Sequence, residues 1–186
     1  SCHLPEACGK RVLIDCGREQ GPDLYENQKL PVTAAEIDYV LLTHAHIDHS
    51  GNIPLLCKQG FTGEVVTTFA TSDLCSIMLR DSAHIQVAEA QWRNRKARRS
   101  GEALYEPLYD MQDADAAVNL LAPCDYDQKI TLCEGIEVRF NDIGHLLGYA
   151  SIAVWVPDGE VSTKIVFSGA VGNTDTPTLT APQPVT

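Results

Sequence analysis

The chain has 186 residues, 44% apolar and 21% charged, which gives enough apolar surface for one packed interior and too little charge density for a disordered chain. Fourteen basic residues stand against 25 acidic ones, a net charge of −11, so broad nonspecific attraction to nucleic acid is excluded and any such contact must be local. The longest apolar run, Ile152 to Val156, stops at Pro157, far short of the roughly 20 residues of a membrane span.

Cys2 to Ala7 and Arg11 to Cys16 alternate around a Gly9-Lys10 turn, the pattern of a β-hairpin. Ile37 to Thr43 is a short apolar run that stops at a His/Asp cluster, as expected of a buried strand whose C-terminal end carries chemistry. Asn52, Ile53 and Pro54 open a short helix ending near Gly60, with proline in its first turn. Gly63 to Thr68 reads as another strand. From about Ser72 to Arg99, Leu74, Ile77, Met78, Ile85, Ala88 and Trp92 recur at helical spacing, which predicts one long helix with an apolar face; Asp73 lies in its first turn and Arg98 and Arg99 in its last.

A second helix is predicted over Ala114 to Leu121, capped by Asp113 and ended by Pro123. Strands then dominate: Lys129 to Cys133, Ile136 to Ile143, Ala150 to Val156 and Thr163 to Ser168, with a turn at Pro157-Asp158-Gly159. Thr174 to Thr186, rich in Pro and Thr and without a period, reads as a linker or loop. The seven cysteines include no Cys-x-x-Cys pair, which speaks against a disulfide framework and a zinc ribbon. The first residues carry no secretory pattern, and a reducing cytoplasm is expected.

The most informative stretch is His44-Ala45-His46-Ile47-Asp48-His49, four metal-ligand candidates in six positions directly after a strand. Clustered imidazoles and a carboxylate suit a borderline divalent ion such as zinc, and an irregular loop can converge them where a continuous helix would spread them. The alternative is a solvated polar loop, but three of the six histidines of the chain fall in this hexad. His84 is expected to be a packed or hydrogen-bonded core histidine, His3 structural, and the cysteines buried, inert thiols. Arg93-Asn94-Arg95-Lys96-Ala97-Arg98-Arg99 gathers five of the 14 basic residues; it reads equally well as a phosphate-contacting patch or as a solvated helix end complementing the macrodipole.

The hexad resembles the His-x-His-x-Asp-His motif of the metallo-β-lactamase superfamily. Leu13-Ile14-Asp15-Cys16-Gly17 resembles its first motif, Gly144-His145-Leu146-Leu147-Gly148-Tyr149-Ala150 its third, and Phe167-Ser168-Gly169-Ala170-Val171-Gly172 its fourth, with Ala170 where the family carries a metal-bridging aspartate. Gly-His-x-Leu-Gly-x-Ala, Asp81-Ser82-Ala83-His84-Ile85-Gln86 and Glu106-Pro107-Leu108-Tyr109 are similar to the β-CASP branch of RNA-processing nucleases.

The resemblance implies an α/β fold, the αβ/βα sandwich, of which this chain is mainly the N-terminal half: residues 1–173 as a partial domain and 174–186 as a linker toward an absent β-CASP domain. It implies two zinc ions in the family and one or two here. His44, His46 and His145 would hold the first ion and Asp48 and His49 the second, with Asp48 also orienting the attacking water and Asp15 orienting the ligands from behind. The implied function is zinc-dependent hydrolysis of RNA phosphodiesters, weakened or lost because Ala170 removes the bridging carboxylate. Arg93, Arg95, Lys96, Arg98 and Arg99 would contact RNA. The rivals are a thioesterase or lactonase of the same superfamily and a catalytically dead RNA-binding or scaffold subunit. RNA is the expected partner, no membrane is expected, and a homodimer is left open.

Overall fold

The structure, a computed structural model, describes residues 1–18, 30–144, 146–159 and 161–169. The opening hairpin is present, with β1 (Glu6–Ala7) paired antiparallel to β2 (Lys10–Ile14). Its turn sits one residue earlier than expected. Cys8 (φ 52) and Gly9 (φ 71) both occupy the left-handed region, the signature of the type I′ turn whose twist matches a hairpin.

β2 then pairs in parallel with β3 (Tyr39–Leu41), β3 with β4 (Glu64–Thr68), and β4 with β5 (Leu121–Cys124). β5 holds the residue expected to end a helix, Pro123. As the outer strand of the order β1-β2-β3-β4-β5 it can spare one amide donor. A second, antiparallel sheet follows the order β6 (Lys129–Cys133), β7 (Ile136–Asp142), β8 (Ala150–Asp158) and β9 (Val161–Phe167). Pro157 and Asp158, expected in a turn, are paired with Ser162 and Val161.

Alternation along the strands builds two interiors. Val12, Ile14, Leu41 and Val66 point toward the second sheet and pack with Ile136, Val138, Phe140, Ile152 and Val154. Their neighbours Leu13, Val40, Leu42 and Val65 point the other way, onto Ile53, Leu56, Cys75 and Leu79. Both faces of the first sheet are therefore covered, which is why its strands read as nearly continuous apolar runs. Among the described residues, helices lie only outside the first sheet.

Those helices are α1 (Ile47–Ser50), α2 (Ile53–Lys58), α3 (Phe69–Ser100) and α4 (Met111–Asn119). α3 starts earlier than the sequence suggests, because Thr68 caps it by accepting Thr71 N–H at 3.3 Å; Gly101 (φ 75) closes it in the left-handed conformation that glycine takes at least cost. α4 starts at Met111 because Asp110, not Asp113, is its cap. Asp113 is the reciprocal member of the capping box.

α3 also turns an unexpected face inward. Thr71, Cys75, Leu79, Ala83, Gln86, Ala90 and Ala97 are buried, whereas most of the predicted apolar stripe, Trp92 included, is exposed. Small residues let α3 approach α4 and the sheet closely, and that close approach selects the buried face over residue hydrophobicity. His84 is exposed rather than packed. Of the cysteines, Cys16 and Cys75 are buried and Cys2 and Cys8 exposed.

Candidate metal centre

β2, β3 and β4 end at one rim of the first sheet, the end at which parallel sheets carry ligand sites. Asp15 follows β2 directly with φ 57, a left-handed backbone that costs a non-glycine residue about 1–3 kcal/mol and that Asp tolerates better than most. The turn buries the carboxylate to 2% exposure. There it accepts Thr43 N–H at 2.8 Å, the Thr43 hydroxyl at 2.9–3.0 Å and His49 Nδ1–H at 2.7 Å.

A carboxylate only accepts, so each of these partners must donate. With its proton committed to Asp15, Thr43 Oγ1 accepts His44 Nδ1–H at 2.9 Å. One buried carboxylate thereby fixes the tautomer of two imidazoles and leaves Nε2 of each as the lone-pair nitrogen.

Only the second half of the hexad is helical, Ile47 to His49 in α1, whereas His44 to His46 keep the irregular conformation the sequence suggested. His46 O accepts the His49 and Ser50 amides at 2.8 Å each, and Ser50 Oγ donates to Ala45 O at 2.8 Å. The segment after β2 straps it down: Cys16 N–H donates to His49 O at 2.7 Å and Arg18 N–H to Ile47 O at 2.9 Å. Gly17 passes so close that a Cβ there would lie 1.6 Å from Asp48 O. Gly17→Ala is therefore expected to displace the Asp48–His49 backbone and lower stability by about 1–3 kcal/mol, the usual range for overpacking. A denaturant midpoint equal to wild type would contradict this reading of the contact.

The imidazole rings gather closely. The His44 centroid is 5.0 Å from that of His46 and 4.0 Å from that of His49. Burial, and then the neighbouring His49, push the His44 ring down to about 4, so it is neutral at pH 7, the form that can donate a lone pair to a metal. His46 and Asp48 are exposed, and Asp48 Oδ2 stands 3.5 Å from His49 Nε2.

Tyr149, given no role by the sequence, completes this corner. Gly148 (φ 92) has its carbonyl held at 2.7 Å by the hydroxyls of both Thr68 and Thr71, which delivers Tyr149 onto the histidines. The phenol ring stacks on His44 at 4.2 Å, and its hydroxyl lies 2.6 Å from His46 Nε2. Burial first, and the Asp48 charge second, raise its pKa, so it is a neutral donor. The only sequence signal for it was its place in the Gly144–Ala150 motif, where the resemblance leaves that position open.

Among the described residues no three His, Cys, Asp or Glu side chains are drawn into a chelating set. The chemistry of the donors nevertheless fits a borderline divalent ion: clustered imidazoles, two of them held at Nδ1 by Thr43 and Asp15, beside an exposed carboxylate. His145 and Ala170 lie outside the described residues. Arg93 is engaged by Glu89 at 2.5 Å and lies over the Tyr105 ring at 4.6 Å, while Arg95, Lys96, Arg98 and Arg99 are exposed. The N-terminus of α3 touches the Gly148 loop, and the basic residues begin some 24 positions later, about 36 Å along the helix axis. No helix among the described residues is long and apolar enough to cross a membrane.

Residues 1–68 match the family model described as Metallo-beta-lactamase superfamily. The chain is 34% identical to Ribonuclease TTHA0252 of Thermus thermophilus across 98% of its own length and 37% of that protein. It is 31% identical to Transcription termination factor FttA of Methanosarcina mazei over 91% of the chain and 25% of that protein. With the RNase J-like protein of Methanocaldococcus jannaschii it shares 30% identity over 92% of the chain and 33% of that protein. The chain thus spans between 25% and 37% of these relatives' lengths. In three dimensions it resembles a metallo-β-lactamase of Cronobacter sakazakii, with a TM-score of 0.54 and 22% identity over 90% of the chain and 56% of that structure. The subclass B3 enzyme BJP-1 of Bradyrhizobium japonicum gives a TM-score of 0.52 at 18% identity, over 90% of the chain and 55% of that structure.

Proposed function

The chain carries a metallo-β-lactamase superfamily domain, and from that premise we propose that it serves the metal-dependent hydrolysis of RNA phosphodiesters, as a β-CASP-type ribonuclease. The observation that carries the reading is the buried Asp15 carboxylate, which holds His49 directly and His44 through Thr43. Such an arrangement costs buried polar surface and backbone strain, and it is useful where two Nε2 lone pairs must be presented together. The names of the relatives, a ribonuclease, a transcription termination factor and an RNase J-like protein, favour RNA over a thioester or lactone.

We assign residues 1–173 to this domain and 174–186 to a linker. His44, His46 and His145 would hold one zinc ion, and Asp48 and His49 a second. Ions bound there supply hydroxide near neutral pH and offset the charge that develops on a phosphate. The chain's own part is to keep His44 neutral, to hold His44 and His49 in orientation, to direct the attacking water through Asp48, and to donate from Tyr149. RNA and a second copy of the chain are the partners, in a cytoplasmic setting, with Arg95, Lys96, Arg98 and Arg99 as candidate phosphate contacts alongside Arg93.

Ala170 stands where the resemblance expects the bridging carboxylate, so the second ion is the weaker one and hydrolysis is reduced. That single residue also favours the scaffold alternative, and one substitution separates the readings. Ala170→Asp is expected to raise affinity for the second zinc equivalent and the rate of cleavage of a labelled single-stranded RNA by about 10–100-fold, the range associated with a supporting ligand, with no comparable gain on a thioester. Tighter zinc without RNA cleavage would support the scaffold. A gain on the thioester alone would move the substrate to small molecules.

A further inference from the structure

The apolar stripe that sequence periodicity assigns to the interior of α3 lies on its outside. Leu74 (40% exposed), Ile77 (67%), Ile85 (56%) and Trp92 (60%) fall, together with Asp81 and Ala88, within about 80° of arc at 3.6 residues per turn. The buried residues of the same helix are centred about 150° away. Scattered exposed apolar residues are ordinary, but a stripe about 27 Å long on one helix marks a docking face.

Charge on α3 says what docks. Arg80 is paired with Asp115, and Arg93 with Glu89. The helical charges on or beside the stripe that have no ion-pair partner among the described residues are segregated: Asp73 and Asp81 in the first half, Arg95, Lys96 and Arg99 at the end. An antiparallel neighbour of the same sequence lays its basic end along this acidic half and its acidic half along this basic end. The apolar side chains between them then meet, with Ala88 small enough to let the helices approach.

We propose that α3 is the face through which two copies of this chain associate, as an antiparallel, two-fold symmetric helix pair. A twofold interface needs one self-complementary patch, and a helix that is acidic at one end, basic at the other and apolar between them meets that requirement. A strip about 27 Å by 10 Å falls well short of the roughly 800 Å² per partner of a standard interface, so the dimer is a weak, reversible one. The proposal does not depend on the hydrolytic reading of the candidate metal centre, to which this helix and its N-cap contribute Thr71 and Thr68 and none of the stripe residues.

Two charge variants test it by sedimentation equilibrium. Asp73→Lys with Asp81→Lys makes both ends of the stripe basic, and Arg95→Glu with Arg99→Glu makes both acidic; all four positions are exposed, so the fold is not at stake. The wild-type protein is expected to dimerise reversibly in the micromolar range. Each variant alone should be monomeric there, and an equimolar mixture should form a one-to-one heterodimer, because each then meets the opposite charge. A wild type that stays monomeric, a variant that dimerises like wild type, or a mixture that fails to pair would each overturn the proposal. It is equally overturned if the wild type is monomeric and the Arg95→Glu, Arg99→Glu variant loses affinity for single-stranded RNA, which would assign this end of the helix to nucleic acid.

Discussion

Asp15→Ala is expected to lower the free energy of unfolding by about 3 kcal/mol and zinc affinity by about 10–100-fold. The stability loss has two sources. The Thr43 amide and His49 Nδ1 each lose a buried acceptor, at about 1–3 kcal/mol per orphaned group, and alanine tolerates the left-handed backbone at φ 57 less well than aspartate does. The affinity loss follows because His44 and His49 are no longer held in the Nδ1–H tautomer. Asp15→Asn separates the two effects: it keeps the shape and one acceptor oxygen, so it should recover part of the stability while zinc binding stays weak. Urea unfolding and calorimetric zinc titration on the three proteins provide the check. Wild-type zinc affinity in both variants would mean that Asp15 is structural and does not serve the histidines.

Phe140→Ala should cost about 3–5 kcal/mol. Phe140 is fully buried between the sheets, packed with Val12, Ile14, Leu41 and Val66 on one side and with the second sheet on the other, so its removal leaves a cavity that neither sheet can close alone. The damage should reach the candidate metal centre. Ala150 N–H donates to Thr43 O at 3.0 Å, which couples the start of β8 to the end of β3, and Tyr149 stacks on His44 from that same junction. A Phe140→Ala protein that loses less than about 1 kcal/mol would imply a second sheet more loosely attached than its packing indicates.

The His/Asp hexad was legible in the sequence because its residues are contiguous: a strand, a polar cluster and a turn follow within a dozen positions, and local order suffices to recognise them. Asp15 was legible only through its motif. Its hydrogen bonds reach residues 28 and 34 positions away, and no local pattern encodes them. The packing of α3 was misread for a specific reason. Hydrophobic periodicity reports which face is apolar, whereas burial goes to the face whose small side chains, Ala83, Ala90 and Ala97, allow α4 and the sheet to come near. The edge strand β5 was missed because its Pro123 argues locally for a terminator, and only the strand order places it where an unpaired amide position is harmless.

By itself the sequence determined the order of strands and helices apart from α1 and β5, the residue types clustered after β3, and the excess of acid over base, since all three rest on residue identity and short-range spacing. Tertiary structure alone decided that Thr43 relays Asp15 to His44, that Tyr149 closes over the histidines, and that the apolar stripe of α3 faces outward. Each of these depends on distances between chain segments far apart in sequence, and such distances are set by how the two sheets and the helical layer pack, not by any one segment's preference.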